Sequence, residues 1–163
     1  MKKLTMKKAL LFTGFTLLSG QSLAKGLPTV EVMTTQFAQE IAQKAYTNCV
    51  DQGATPSVSI VDQQGTLLYF QRGENIGPHS VKTSFRKAYT AASLKTPTSI
   101  YAVFVDMPKF SQLAKMDDDI LLLTGGVPIK SKGVVIGGIG MSGAPSPELE
   151  EKCAVDALVS QFN

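Results

Sequence analysis

The chain contains one histidine, His79, at the start of a segment whose residue pattern predicts a helix. A single imidazole excludes zinc sites built from several histidines. It also disfavours a serine or cysteine hydrolase, because no serine lies in a G-x-S-x-G frame or a similar one. The positive end of a helix disfavours an imidazolium, so we expect a neutral ring with a nitrogen lone pair available to a metal. A capping or merely exposed loop histidine is the alternative interpretation.

Cations and aromatic residues follow His79 within the same predicted helix. Lys82, Arg86 and Lys87 could meet carboxylates, and Phe85 offers a flat apolar surface, although its position fits a core residue equally well. A neutral imidazole near cations and aromatic rings suits a haem-like ligand, because iron binds the nitrogen and the propionates bind the cations. The sequence contains no C-x-x-C-H motif, so such a haem would be bound non-covalently.

Two further motifs have a structural interpretation. The segment 138–143, GIGMSG, matches the dinucleotide-binding pattern G-x-G-x-x-G, but the remaining chain, 144–163, predicts only a single closing helix. A Rossmann unit needs a helix, a further parallel strand and an acidic residue there. We therefore expect the glycines to allow close packing against a helix or a ligand. The run Asp117, Asp118 and Asp119 lacks the glycine and glutamate of a calcium loop and predicts a solvated turn.

The beginning of the chain, 1–24, has the pattern of a secretory signal peptide. A basic stretch (1–8) precedes an apolar stretch (9–20), and cleavage is predicted after Ala24, at a small-x-small pattern. The apolar stretch is shorter than the roughly 20 residues that a membrane-spanning helix needs. Cleavage would remove four of the 16 basic residues and none of the 13 acidic ones. The remaining domain, 25–163, would be nearly neutral, which argues against nucleic-acid binding.

The chain has two cysteines, Cys49 and Cys153, and both lie in the predicted exported part. Two cysteines cannot form a four-ligand zinc site by themselves. In an oxidising compartment they could form a disulfide that closes a loop of about 100 residues and adds several kcal/mol of stability. Two buried thiols remain the alternative.

The length of 163 residues and the composition predict one globular domain. Apolar periodicity predicts helices at 29–50, 80–94, 101–105 and 147–161, with Ser80 as the N-cap of the second. In that second helix the core-facing stripe is predicted to be Val81, Phe85, Ala88 and Ala92. Strands are predicted at 57–62, 66–70, 120–123, 127–130 and 134–139. Strands in hairpins with helices between them predict an α+β domain with about five antiparallel strands flanked by helices.

The sequence resembles the GlcG/HbpS family of haem-binding proteins over nearly all of the predicted exported part. The resemblance lies in six blocks: SIVDQQG (59–65), GPHS (77–80), RKAYTAAS (86–93), KTPT (95–98), GGVPI (125–129) and GIGMSGA (138–144). It implies a five-stranded antiparallel sheet with a profilin-like layout, higher oligomers and a tetrapyrrole ligand. His79, in the GPHS block, would then be the iron ligand. Arg86, Lys87 and Thr90, in the RKAYTAAS block, and Phe85 beside it would be haem-binding residues, with Lys87 pairing with a propionate or serving a structural role.

Three functions are compatible with this sequence. The leading hypothesis is an exported, periplasmic, non-covalent haem-binding protein that stores, carries or senses haem and forms a homo-oligomer. The second is an enzyme of haem degradation, or an accessory of glycolate or small-acid metabolism, although no convergent acid-base set supports turnover. The third is an oligomeric partner of a sensor or transporter that does not bind haem.

Overall fold

A computed structural model describes residues 26, 29–110 and 112–162. The predicted signal peptide lies outside the described residues. Helix α1 (Thr35–Val50) leads into strands β1 (Ser57–Asp62) and β2 (Leu67–Gln71). Helices α2 (His79–Leu94) and α3 (Thr98–Ala102) follow, then strands β3 (Gly126–Ser131) and β4 (Val134–Ser142) and the closing helix α4 (Pro147–Phe162). The predicted α+β class is confirmed.

The described strands form one antiparallel sheet in the order β2-β1-β4-β3. Successive side chains of a strand point to opposite faces. Val58 and Ile60 of β1 join the main core cluster with α1 and α4, whereas Ser59 contacts Ser84 of α2. Helices α1 and α4 therefore cover one face of the sheet, and α2 covers the other.

The prediction of five strands is wrong for the described residues, which form four. Segment 120–123 belongs to no sheet, and the Leu123 amide donates to the Leu121 carbonyl at 2.9 Å within the segment. Its backbone groups bind side chains instead: the Leu121 amide donates to Thr90 Oγ1 at 2.8 Å, and the Leu123 carbonyl accepts from Thr98 Oγ1 at 2.7 Å. These bonds take up hydrogen-bonding capacity that a ladder with a neighbouring strand would need.

Several element boundaries also differ from the predictions. Helix α1 begins at Thr35 rather than at residue 29, because Thr34 Oγ1 accepts the Phe37 amide and caps the helix there. Ser80 is not the N-cap of α2: the helix begins one residue earlier, and the Ser80 hydroxyl donates to the Gly77 carbonyl. The third helix lies at 98–102 rather than 101–105.

The predicted stripe of α2 is correct at Ala88 and Ala92, which are buried, and wrong at Val81, which is 37% exposed. In the first half of the helix the buried residues are Ser80 and Ser84, each one position before a residue of the predicted stripe. The buried face of α2 rests on glycines of β4: a Cβ added at Gly140 would lie 2.1 Å from the Ser84 carbonyl oxygen. Gly138 and Gly140 of the G-x-G-x-x-G match therefore allow α2 to approach the sheet closely, as predicted, whereas Gly143 lies beside Ile76.

We expect Gly140→Ala to destabilise the domain by about 3 kcal/mol, the upper end of the over-packing range, because the added methyl meets helix backbone that cannot rotate away. Its Cβ would also lie 2.4 Å from the Ala88 amide nitrogen. Urea unfolding followed by circular dichroism would measure the loss. Gly26→Ala is the control, because a Cβ there meets nothing within 4 Å. A loss no larger than that of the control would contradict the close packing.

The predicted disulfide is present: Cys49 of α1 is bonded to Cys153 of α4, with the two Cα atoms 5.5 Å apart. Both side chains are buried in the main core cluster. The bond joins the two helices that cover one face of the sheet. Within the described residues, no helix has both the length and the apolar character needed to cross a membrane.

Candidate functional site

Helix α2 carries all five predicted haem-binding residues but does not leave them equally exposed. Residues three, four and seven apart share a helix face. His79 therefore shares its face with Lys82 and Arg86, and His79 and Lys82 are exposed. Lys87 and Thr90 are buried. Thr90 lies four positions after Arg86 on the same face, but the segment that contains Leu121 covers it. The structure thus separates the predicted residues into an outer group and an inner group.

His79 is the first residue of α2, and its side chain is exposed. Within the residues that the structure describes, neither ring nitrogen has a hydrogen-bond partner and no carboxylate pairs with the ring. The imidazole lies against Gly77: a Cβ added there would be 2.5 Å from Cε1 and 2.7 Å from Nδ1. The ring can therefore offer a nitrogen lone pair to a ligand, but it has no carboxylate that would make it part of a catalytic pair.

Buried serines fix the beginning of α2 to the sheet. Both the amide and the hydroxyl of Ser80 donate to the Gly77 carbonyl, at 3.0 and 2.8 Å. The Ser80 and Ser57 hydroxyl oxygens lie 3.4 Å apart, and Ser57 Oγ accepts the Gly73 amide at 3.1 Å. The loop before His79, the first turn of α2 and the start of β1 are thus held as one unit.

Arg86 is half-buried and holds segment 120–123 through a hydrogen bond. Its Nη2 donates to the Ile120 carbonyl at 2.7 Å, whereas its Nε is buried without a hydrogen-bond partner among the described residues. Thr90, one turn further on, accepts the Leu121 amide and donates to the Arg86 carbonyl at 2.7 Å. Arg86 therefore has remaining donor capacity, while both bonds of Thr90 are structural.

Lys87 is 2% exposed and forms a buried ion pair with Glu150 of α4. The other oxygen of that carboxylate accepts the amides of Gly143 and Ala144, at 2.7 and 3.1 Å. Gly125 packs on the pair, since a Cβ there would lie 2.8 Å from both charged groups. The sequence did not reveal this pairing, because the partners are 63 positions apart in the chain.

The aromatic residues of α2 are half-buried at its junction with the β1–β2 turn. The centroids of the Phe85 and Tyr89 rings are 6.1 Å apart, and a Cβ added at Gly65 would lie 2.5 Å from the Tyr89 ring. Burial and the nearby Asp117 carboxylate, to which the Tyr89 hydroxyl donates at 3.3 Å, raise the pKa of Tyr89. Tyr89 therefore remains a protonated donor at neutral pH.

One pocket lies away from His79. Its volume is about 300 Å³, and its lining includes Glu31, Gln63, Ser131 and Lys132, at the end of the sheet where β1 finishes. His79 lies near the other end, where β1 begins at Ser57. The α2 site is thus an exposed helix face with one accessible imidazole and nearby cations, and not a closed pocket.

The fold and site define an α+β domain in which one helix packs on an antiparallel sheet and presents an exposed imidazole at its start. Within the described part of the chain this imidazole has no hydrogen-bond partner. The family model for "Haem degrading protein HbpS-like" matches residues 33–159. The chain belongs to this HbpS-like family, which confirms the resemblance seen in the sequence blocks.

Solved structures and a curated relative agree with this assignment. HbpS from Streptomyces reticuli, solved as a double mutant, has a TM-score of 0.77 and 33% identity, and the match covers 84% of this chain and 92% of that one. ORFY from Klebsiella pneumoniae has a TM-score of 0.75 and 27% identity, with coverage of 85% and 99%. An uncharacterised 15.0 kDa protein of the dhaT-dhaS intergenic region of Citrobacter freundii is 28% identical over 116 residues, which are 70% of this chain and 82% of that protein.

A further structural neighbour was solved as a complex of PduOC with haem. It has a TM-score of 0.70 at 24% identity, and the match covers 80% of this chain and 95% of that one. At this identity the likeness concerns the fold. The same fold is therefore one that accepts haem in another protein.

Proposed function

We propose that this protein is an exported, non-covalent haem-binding protein in which His79 supplies the imidazole ligand of the iron. The observation that carries the proposal is the exposed imidazole at the start of α2, without a partner in the described part of the chain, in a member of the HbpS-like family. Haem, when bound, supplies a Lewis-acidic iron and two carboxylates. The residues present fit those groups, because the outer face of α2 offers one nitrogen donor and two cations.

The spacing on α2 assigns roles to the remaining residues. Arg86 lies seven positions after His79, so the two side chains leave the helix about 10 Å apart along its axis. In this proposal Lys82 and Arg86 bind the propionates, and Phe85 contributes apolar surface beside the porphyrin. Lys87 and Thr90 act indirectly, because the Lys87 ammonium is held by Glu150 and Thr90 is bonded to Leu121. Both cysteines form the disulfide, so neither is a thiolate ligand.

Export and self-association complete the proposal. The signal-peptide pattern of residues 1–24 and the disulfide support export, to the periplasm, of the part from residue 25 onward. Large apolar side chains are exposed, Val103 at 69% and Ile100 at 54% among them, which supports a homo-oligomer. Light scattering of the mature protein, with and without haem, would measure the number of subunits.

We expect His79→Ala to weaken hemin binding about 100-fold, or about 3 kcal/mol, because the iron loses its nitrogen ligand. A visible-absorption titration of the mature protein with hemin would show a saturable, shifted Soret band that the substitution displaces or abolishes. Lys44→Ala is a control, because Lys44 is an exposed residue of α1 on the opposite side of the sheet. Equal hemin affinity of His79→Ala and the control would show that His79 is not the ligand.

The name of the family favours haem degradation as a second candidate function. Degradation would appear as loss of the Soret band with release of iron when hydrogen peroxide is added to the complex, at a rate above that of free hemin. A stable complex under the same conditions would favour storage, carriage or sensing. Since His79 has no acid-base partner among the described residues, the site itself favours binding.

A further inference from the structure

The His79 ring has an unusual support for a metal ligand. Ligating histidines are commonly oriented by a hydrogen bond from the second ring nitrogen to a carboxylate or carbonyl. No such bond to His79 is found in the described part of the chain. The ring does lie against the backbone of Gly77, two positions earlier, and this contact can orient it.

The position of the ring on Gly77 distinguishes its two nitrogens. A Cβ added at Gly77 would lie 2.7 Å from Nδ1 but 3.7 Å from Nε2. The Nδ1–Cε1 edge therefore lies against the backbone, and Nε2 is the nitrogen further from it. Because the Cα of Gly77 bears no side chain, this edge can approach more closely than any other residue would permit.

The Gly77 surface is itself held in place. Its carbonyl accepts both the amide and the hydroxyl of Ser80, and Ser80 is fully buried. The Ser80 hydroxyl in turn lies 3.4 Å from that of Ser57 on β1. A chain of contacts thus connects the sheet, the first turn of α2, the backbone of Gly77 and the imidazole.

We propose that Gly77 is a positioning residue that holds the Nδ1–Cε1 edge of His79 and presents Nε2 as the nitrogen that binds the iron. This inference rests on the proposed function for the identity of the ligand, but the position of the ring does not depend on haem. Gly77 does not itself touch the iron. It acts through His79, so its effect must vanish when the imidazole is removed.

Gly77→Ala tests the proposal with little change elsewhere. The φ angle of Gly77 is not positive, so alanine can adopt the backbone conformation. The new Cβ would lie 2.5 Å from Cε1, which is closer than non-bonded atoms approach, and the imidazole must swing away. We expect hemin affinity to fall about tenfold, the lower end of the range for residues that orient a metal ligand.

A double-mutant cycle separates positioning from general damage. Hemin titrations of the mature wild type, Gly77→Ala, His79→Ala and the double variant should show that Gly77→Ala has its effect only when His79 is present. The Soret band of the Gly77→Ala complex should also shift, which a change in stability alone would not cause. An equal loss of affinity from Gly77→Ala in both backgrounds would overturn the proposal.

A measurement without haem keeps this inference apart from the proposed function. Because His79 is the one histidine, its Hε1 resonance is unambiguous in the NMR spectrum. We expect a nuclear Overhauser effect between His79 Hε1 and Gly77 Hα, and its loss in Gly77→Ala. Absence of this effect in the wild type would overturn the proposed ring position. If it is present but no variant binds hemin, the proposed function fails and the ring position stands.

Discussion

Replacing Lys87 by methionine should lower the free energy of unfolding by about 3–5 kcal/mol, the usual cost of removing one partner of a buried ion pair. Lys87 and Glu150 are 2% and 4% exposed, so the remaining carboxylate would be buried without its cation. The amides of Gly143 and Ala144 would still bind one of its oxygens, but they carry no full charge. Urea unfolding monitored by circular dichroism would measure the loss.

A surface ion pair provides the matched control. Lys152 and Asp156 of α4 are also paired, but their side chains are 62% and 49% exposed. Exposed pairs of this kind contribute about 0.3–0.5 kcal/mol, so Lys152→Met should change stability little. If Lys87→Met and Lys152→Met cost the same, the buried pair does not stabilise the junction of α2 and α4.

The Lys87→Met variant also tests how Lys87 affects haem binding. If Lys87 acts by fixing α2 to α4, Glu150→Gln should weaken hemin binding as Lys87→Met does, since both break the same pair. If the Lys87 ammonium binds a propionate directly, Lys87→Met should weaken binding much more than Glu150→Gln. Both variants would be measured under conditions where circular dichroism shows the native fold.

The sequence predicted the elements whose first turn or apolar pattern is clear in the residues themselves. It failed where contacts between distant parts of the chain decide which structure forms. The closing helix was predicted to begin at Pro147, and it does, because proline and early glutamates suit a first helical turn. The apolar run at 120–123 looked like a strand because hydrophobicity alone does not reveal which groups satisfy the backbone. Its partners, Thr90 and Thr98, are 31 and 25 positions away from the groups that they bind.

The same limit applies to the candidate site. The helical period could place His79, Lys82 and Arg86 on one face, and the structure agrees. It could not show that Lys87 is buried, because the partner that permits burial of an ammonium lies on another helix. Nor could it show that Gly77 lies beneath the imidazole, since that contact depends on how the loop enters α2.

Removing the disulfide, by replacing both Cys49 and Cys153 with alanine, should lower the free energy of unfolding by as much as Lys87→Met does, or by more. The two residues are 104 positions apart, and closing a loop of that length stabilises a domain by about 4.7 kcal/mol through the unfolded state. Both side chains are buried in the main core, so their loss also removes packing between α1 and α4. Urea unfolding of the double variant and of the oxidised wild type would give the difference.

The number of free thiols decides between this bond and the alternative of two buried thiols. Denatured wild-type protein exported from the cell should show no free thiol, whereas protein made without residues 1–24 in a reducing cytoplasm should show two. Chemical reduction should then lower the stability of the exported protein toward that of the double variant. Two free thiols in the exported protein, with stability unchanged by reduction, would contradict the bond. Because the disulfide joins helices on the face opposite α2, its loss should lower stability far more than the hemin affinity of the folded protein.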